Sequence, residues 1–433
     1  MSLYTPQRLF GDLSSSSDVL SHEPFLERAR LQREQERDGA ARLALGAYVV
    51  ARLIDRLLTL DTAATDGLDS FRWQLEAVRR HVAELPDDAP ETAHLAGIVA
   101  AISPEGELRP GLRLNLTAYS YALEHDGRFA EALEMLALAA RTQGSQIDPN
   151  DFMMFALGAG RLNRLQARWE AATASYAAAE EAGVRFGDPL SVLRGRLGRG
   201  AVHRGQGNYP LARATAENVL RDAIELGITE AQAMAYADLG VIYNLQGLRL
   251  EALEAHYKAF RLTPDPMQRM RTLGDLALGL HEIGAFDAAR IAFQIVAVSN
   301  ASAEVRANAL LELMDLESAV ENRVAFERYR AAAEEYRDRM SSRMAVDYQY
   351  KLAVGLARFG QTTRARLSFE SALQLAERDR INDWYFKITE AIQELSKSSH
   401  QLVYARQISE LSAAPAVREM EVGLREYALA AET

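Results

Sequence analysis

The sequence predicts an all-α protein, a solenoid built from helix-turn-helix repeats. The first observation is a stripe of small residues, since an alanine follows the start of each of seven predicted helices by three residues, and an alanine or valine follows by ten. The second is their period, because these helix starts recur every 36 to 40 residues, as in helical repeat proteins. The starts are Phe129, Trp169, Tyr209, Arg249, Phe286, Asn322 and Thr362, and the alanines are Ala132, Ala172, Ala212, Ala252, Ala289, Ala325 and Ala365.

Small residues also mark the turn and the first helix of each repeat. A glycine lies two residues before five of the helix starts, where a left-handed backbone is expected to end the first helix: Gly127, Gly207, Gly247, Gly284 and Gly360. Small residues lie nine before the start in six repeats, where they are expected to let the two helices approach closely: Ser120, Gly160, Gly200, Gly240, Ala277 and Ala353. The sixth repeat fits least well, because Leu313 fills this small position and Asn322 the helix start.

Four segments are predicted along the chain. They are an N-terminal tail at 1–21, an N-terminal helical cap at 22–105, repeats one to seven at 106–375, and a degenerate eighth repeat with a C-terminal capping helix at 376–433. The eighth repeat is predicted because Leu402 and Ala405 lie one 40-residue step beyond the seventh. A last helix, from about Pro415 to Ala430, is expected to shield the final repeat from water.

Composition excludes several classes of partner and site. The net charge of −11 argues against a nucleic-acid or anionic-membrane partner, and the absence of cysteine excludes disulfides, thiolate metal sites and cysteine nucleophiles. The most apolar stretch, Leu43 to Leu60, carries Arg52, Asp55 and Arg56 and is not expected to cross a bilayer. With no secretory signal visible, we expect a cytoplasmic protein without membrane insertion.

No catalytic pattern emerges from the sequence. The eight histidines form no pair at metal-ligand spacing on one helix, and His256 occupies the stripe position that holds Tyr176 and Phe293 in other repeats, which favours a packed core histidine. The glycines around Gly160 and Gly200 lack the strand and lysine of a phosphate loop. We therefore expect no catalytic, cofactor-binding or metal-binding residues, and a protein that is not an enzyme.

One repeat carries a family resemblance. The stretch Tyr236-Ala-Asp-Leu-Gly-Val-Ile-Tyr243, followed by Gly247, Ala252 and Ala259, resembles the tetratricopeptide repeat. The resemblance covers residues 106–375 and implies a right-handed α-solenoid of seven to eight repeats. The period exceeds the usual length of about 34 residues and is similar to the longer repeats of bacterial peptide-sensing regulators. Two arginines depart from the pattern, since Arg196 and Arg199 stand where an aromatic residue and a leucine are expected.

The resemblance also implies where a ligand would bind. In this family the first helix of each repeat lines a concave groove, and the matching positions here are Arg161, Arg164, Arg194, Arg204, Asn244, Arg271, His281, Tyr350 and Arg358. The first four, in two adjacent repeats, predict a basic pocket for an acidic segment or a free C-terminus. The alternative is that arginine is simply the common basic residue of this chain, paired with neighbouring glutamates. A chaperone-type carboxylate clamp is not expected, because Gly158 and Gly198 replace its asparagine.

Three functions remain open at this point. The favoured one is a non-enzymatic scaffold or adaptor that binds a protein segment or peptide in the groove. The second is a peptide-gated regulatory sensor, and the third is a structural subunit of a larger assembly or a homo-oligomer. A DNA-binding regulator is disfavoured, because residues 22–105 contain no basic recognition helix.

The tail offers one further hypothesis. Leu3, Tyr4, Leu9 and Phe10 are apolar, and the serine run from Ser14 to Ser17 follows them as a flexible tether. This segment is predicted to dock as a short apolar motif, on a partner or across a neighbouring groove. The alternative is a disordered terminus with chance hydrophobic residues.

Overall fold

The computed structural model describes residues 4–11, 21–60, 65–87, 89–337, 340–379, 381–397 and 410–431. Every regular element among these residues is helical, which confirms the all-α prediction, and no helix among them is long and apolar enough to cross a membrane. The α-helices are α1 (Pro6–Phe10), α2 (Glu23–Glu34), α3 (Asp38–Leu58), α4 (Thr65–Ala83), α5 (Pro90–Ala100), α6 (Pro110–His125), α7 (Phe129–Arg141), α8 (Pro149–Leu165), α9 (Trp169–Phe186), α10 (Pro189–Gly205), α11 (Tyr209–Glu225), α12 (Thr229–Leu245), α13 (Arg249–Leu262), α14 (Pro266–Glu282), α15 (Phe286–Val298), α16 (Ala303–Ala319), α17 (Arg323–Glu334), α18 (Ser342–Arg358), α19 (Thr362–Arg378), α20 (Asn382–Lys397) and α21 (Pro415–Ala431).

The chain divides into two compact units, Met1–Thr215 and Ala216–Thr433, called here the N-terminal and C-terminal units. In each unit, consecutive helices pack as hairpins. The pairs are α6 with α7 and α8 with α9 in the N-terminal unit, and α12 with α13, α14 with α15, α16 with α17 and α18 with α19 in the C-terminal unit. The predicted helix-turn-helix repeats are therefore confirmed.

The turns inside the repeats share one backbone conformation. The five predicted turn glycines have φ of 74° (Gly127), 79° (Gly207), 77° (Gly247), 80° (Gly284) and 72° (Gly360), which is the left-handed region that glycine occupies without strain. The other two repeats use Ala167 at 56° and Glu321 at 58°. In the sixth repeat α17 begins at Arg323, and Asn322 is its N-cap, whose side chain accepts a hydrogen bond from the Ala325 backbone N–H.

The small residues act where the two helices of a hairpin touch. Six of the seven stripe alanines are at most 1% exposed, and Ala325 of the poorly fitting sixth repeat is half-buried. A Cβ atom at Gly160 would lie 2.7 Å from the ring of Tyr176, and one at Gly240 would lie 2.6 Å from the ring of His256. Burial lowers the pKa of His256 to about 4, so this residue is a neutral core histidine.

The predicted N-terminal cap packs directly onto the first repeat. Phe25, Phe71 and Leu95 are completely buried in one apolar core with Leu116 of α6. Beside this core, the carboxylate of Glu91 accepts hydrogen bonds at 2.8–3.3 Å from the guanidinium groups of Arg28 and Arg128. Burial opposes ionisation of Glu91, but these two arginines hold its pKa at about 2, so the ion pairs are maintained at neutral pH.

The C-terminal helix lies on an earlier part of the C-terminal unit. We expected α21 to shield the final repeat, and the structure instead packs it against α13 and α15, the second helices of two preceding repeats. Val417, Met420 and Leu424 are at most 3% exposed there, and the ring of Tyr427 lies 5.1 Å from that of Phe260. Leu402 and Ala405, which predict an eighth repeat, lie outside the described residues.

Candidate ligand-binding surface

The first helices of neighbouring repeats lie side by side. In the N-terminal unit α8 contacts α10, and in the C-terminal unit α14 contacts α16, α16 contacts α18, and α18 contacts α20. This arrangement brings side chains from several repeats onto one surface, as the repeat register predicts. We call the face built by α14, α16, α18 and α20 the first-helix surface of the C-terminal unit.

In the N-terminal unit, the first predicted groove arginine has an internal partner. The Nε and Nη2 groups of Arg161 donate to the two carboxylate oxygens of Glu124 at 2.6 and 2.8 Å, and the guanidinium lies 5.6 Å from the ring centroid of Tyr121. A bidentate pair of this kind is strong and directional. For Arg161 the geometry matches the alternative interpretation, in which arginines of this chain pair with neighbouring glutamates.

The other three arginines of the predicted pocket are half-buried on α8 and α10. Arg164 lies in the last turn of α8, while Arg194 and Arg204 lie near opposite ends of α10. Ten residues of α-helix separate the last two by about 15 Å along the axis. A ligand contacting both would therefore have to extend along α10, and the convergence of all four arginines on one ligand stays a prediction.

Arg196 and Arg199, which depart from the family pattern, both form ion pairs with a glutamate on α9. Arg196 Nε lies 2.9 Å from Glu180 Oε1, and Arg199 Nη2 lies 2.8 Å from Glu180 Oε2. Glu180 belongs to α9, so both arginines brace α10 against the preceding repeat. Their presence therefore has a structural explanation.

In the C-terminal unit, the predicted groove residues have different environments. Asn244 and Arg271 are exposed on α12 and α14, while Tyr350 is half-buried on α18. His281 is only 1% exposed and lies edge-on to the rings of Phe286 and Phe293, at centroid distances of 5.8 and 6.3 Å. It is therefore part of the protein interior, next to the cluster described below.

A cluster of buried and half-buried ionisable side chains connects α14, α16 and α18. It consists of His281, Glu312, Asp315, Asp347, Lys351 and Arg358, and we call it the charge cluster. Lys351 Nζ lies 2.5 Å from Glu312 Oε1 and 2.7 Å from Asp347 Oδ2. Arg358 Nη1 donates to Asp315 Oδ1 at 2.8 Å and to Ser318 Oγ at 2.6 Å. Each carboxylate of the cluster thus has a cationic neighbour at hydrogen-bonding distance.

Burial and pairing together set the protonation of this cluster. Burial opposes ionisation of Glu312, but the adjacent Lys351 ammonium holds the pKa of Glu312 at about 2. Burial likewise opposes the charge of Lys351, but Glu312 and Asp347 raise its pKa above the ordinary value. Burial raises the pKa of Asp347. The Glu312–Lys351 pair is therefore ionised at neutral pH.

The charge cluster also contains a possible metal-ligand set. His281, Glu312 and Asp315 each have a donor atom within 4.8 Å of the others, and nitrogen and oxygen donors of this type bind divalent transition metals. However, Glu312 and Asp315 already accept hydrogen bonds from Lys351 and Arg358. A divalent cation would have to displace two buried positive groups, so the arrangement favours internal ion pairing.

Beside the charge cluster, an ammonium group rests on two aromatic rings. Lys387 Nζ lies 4.4 Å from the ring centroid of Tyr350 and 4.2 Å from that of Trp384. The two rings meet edge-to-face at 5.3 Å. Lys387 is exposed, and no carboxylate of the described residues lies within 4.0 Å of its ammonium. We call Tyr350, Trp384 and Lys387 the aromatic shelf.

Sequence reasoning found Tyr350 but missed its two partners. Asp347 holds the same register position as the predicted groove residues Arg194 and Arg271, and Lys387 lies 40 residues after it, so one more step of the repeat period would have indicated Lys387. Glu312, Asp315 and Lys351 were missed because they lie at positions between neighbouring first helices. The family's groove positions do not include them, and stacking of the repeats brings them together.

Comparisons with known proteins are limited to distant structural similarity. No protein-family model matches the chain, and no curated protein matches it. The structure of NprR in complex with its cognate peptide NprX is similar with a TM-score of 0.42, 12% identity, and coverage of 86% of this chain and 97% of that chain. A Rap protein complexed with competence and sporulation factor gives 0.41, 10%, 82% and 97%. The apo form of RapI gives 0.40, 9%, 62% and 98%. Because all three TM-scores are below 0.5, these similarities do not indicate the function of this chain.

Proposed function

We propose that this chain is a non-enzymatic peptide-binding protein that takes an extended segment of a partner on the first-helix surface of the C-terminal unit. The observation that carries the proposal is the aromatic shelf, where the exposed Lys387 ammonium lies 4.2 and 4.4 Å from two ring centroids and has no carboxylate partner among the described residues. The rings hold the ammonium in one place by cation–π attraction, so its hydrogen-bond donors are available to a ligand.

The chemistry of the shelf indicates the ligand group. An ammonium donates charge-assisted hydrogen bonds to a carboxylate, and the faces and edges of Tyr350 and Trp384 offer apolar contact to the adjoining part of a peptide. An acidic side chain or the C-terminal carboxylate of a peptide would fit both features. The buried charge cluster behind the shelf holds α16 and α18 together, which keeps Tyr350 in position.

A peptide selection tests the proposal. A displayed library of peptides of about ten residues is selected on the intact chain, and the enriched peptides are measured by isothermal titration. We expect acidic residues or free carboxyl termini among them, and we expect Lys387→Glu to weaken their binding at least tenfold, about 1.4 kcal/mol. Higher salt should weaken binding to the unchanged chain.

Lys258 provides the matched control. It is also an exposed lysine in the C-terminal unit, with its ammonium 5.5 Å from the ring centroid of Tyr236, but it belongs to α13, a second helix. Lys258→Glu should leave peptide binding unchanged. Selected peptides that bind the Lys387→Glu variant as tightly as the unchanged chain would overturn the proposal.

A further inference from the structure

The N-terminal segment Tyr4–Gly11 is docked on the surface of its own unit. It contains the short helix α1, which contacts α7 and α8. Pro6 and Leu9 are buried by this contact, while Gln7, Arg8 and Gly11 remain exposed. The predicted docking of a short apolar motif thus takes place within the chain, and Leu3 and the serine run lie outside the described residues.

An aromatic pocket receives the first residue of the segment. The Tyr4 ring lies 5.0 Å edge-to-face from Phe152 of α8 and 5.2 Å from Phe186 of α9. The Ile147 backbone N–H donates to the Tyr4 carbonyl at 2.9 Å. An aromatic residue is therefore held by its ring and by its backbone; in peptide recognition, backbone hydrogen bonds supply affinity and side-chain pockets supply specificity.

Arg8, four residues after Tyr4, makes a second contact with the surface through its charge. Arg8 Nη2 lies 2.5 Å from Glu181 Oε2 on α9, and the guanidinium carbon lies 5.8 Å from the ring centroid of Phe152. Phe152 therefore contacts both Tyr4 and Arg8. Tyr4 and Arg8 are four residues apart, with the buried Pro6 between them and the buried Leu9 after them. This spacing gives the surface a defined ligand pattern.

We infer that this surface is a second peptide-binding site, specific for a segment with an aromatic residue, a proline two residues later, an arginine and then an apolar residue, and that the chain's own N-terminal segment fills it as a displaceable intramolecular ligand. Only two of the eight described residues of the segment are buried, so its intrinsic affinity for the surface is low. Because the segment belongs to the same chain as the surface, its effective concentration there is on the order of 1 mM, which keeps even a weak ligand bound. A partner segment with the same pattern competes by binding more tightly.

The test uses a synthetic peptide with the sequence of residues 2–11, acetylated and amidated, and a chain from which residues 2–11 are deleted. Fluorescence anisotropy of the labelled peptide measures binding. We expect the deleted chain to bind it with Kd below about 1 mM, because cis docking requires affinity tighter than the effective concentration. The intact chain should bind at least about tenfold more weakly, since its own segment occupies the site.

Charge reversal makes the test specific. In the deleted chain, Glu181→Arg should weaken binding of the peptide. A peptide carrying Arg8→Glu should bind that variant more tightly than the unchanged peptide does. Glu170→Arg is the matched control, because Glu170 is an exposed carboxylate on the same helix near its other end. Where the deletion lowers stability, the full chain with Tyr4→Ala and Arg8→Ala serves instead and should begin to bind the peptide. Equal binding by the intact chain, or no binding by a folded deleted chain or by the double variant, would refute the inference.

Discussion

Gly198 and Tyr176 are so close that a Cβ atom at residue 198 would lie 2.3 Å from the Tyr176 ring. Gly160 faces the same ring, where a Cβ would lie at 2.7 Å. Two first helices, α8 and α10, thus approach one aromatic side chain of α9 through glycines. Gly160 and Gly198, two of the glycines that faintly resemble a phosphate loop in the sequence, therefore make room for a ring.

Gly198→Ala should lower the stability of the chain. Alanine favours helix over glycine by about 1 kcal/mol, but overpacking against a ring that is confined on a second side costs about 1–3 kcal/mol. The net result should be a lower melting temperature, measured by circular dichroism. Gly274→Ala is the control, because a Cβ at that helical position meets nothing within 4 Å, and it should raise stability. A stabilised Gly198→Ala variant would contradict this account.

Ala167→Gly should stabilise the second repeat. Ala167 has φ of 56° in the turn position that five other repeats give to glycine, and a left-handed alanine costs about 1 kcal/mol relative to glycine. Urea unfolding should show a gain of that order. The reciprocal change, Gly207→Ala at φ of 79°, should cost a similar amount, and Ala174→Gly within the exposed face of α9 should also destabilise. A loss of stability in Ala167→Gly would argue against a strained turn.

His22 should make the stability of the folded chain fall as the pH becomes alkaline. Its two ring nitrogens lie 2.9 Å from carboxylate oxygens of Asp55 and Glu134, so both act as donors and the ring is positively charged. Burial alone would lower its pKa, but these two hydrogen bonds raise it to about 9. The contribution, on the order of 3 kcal/mol, is complete below about pH 6.5 and is lost as the pH rises through 9.

The measurement is the difference in unfolding free energy between the unchanged chain and His22→Gln from pH 6 to 10. Taking the difference cancels groups that titrate alike in both chains. We expect the difference to be largest near pH 6 and to shrink between pH 6.5 and 9. A difference that stays constant across this range would show that His22 is uncharged in the folded chain.

Lys351→Met should strongly destabilise the C-terminal unit. It leaves Glu312, which is 8% exposed, without its cationic partner, and removing one member of a buried ion pair costs about 3–5 kcal/mol. Adding Glu312→Leu should recover much of that loss, because it removes the orphaned charge. A double-mutant cycle in urea measures the coupling. Additive losses in the double variant would mean that the two groups do not interact.

Local features of the sequence were sufficient for the repeat architecture. The stripe beginning with Ala132 and its equivalents predicts which helix face is buried, and the turn glycines such as Gly127 predict where the first helix ends. Both signals depend on side-chain size and backbone conformation within a few residues, so they are readable without knowing the tertiary structure. Tyr350 was found in the same way, because the repeat register gives its position directly. Its place in the aromatic shelf was not predicted, because Trp384 and Lys387 belong to a different helix and the repeat register indicates only Lys387.

The sequence by itself determined the helical class, the repeat period and the small-residue contacts between paired helices, because these follow from chain-local periodicity. Tertiary structure decided the partners of charged side chains, such as Lys351 with Glu312, and the docking of both terminal segments. A charged residue on a helix has several candidate partners of nearly equal energy, and packing geometry selects among them. The apolar faces of α1 and α21 show that these helices must be covered, but which distant helices cover them depends on surfaces that exist only after the repeats have stacked.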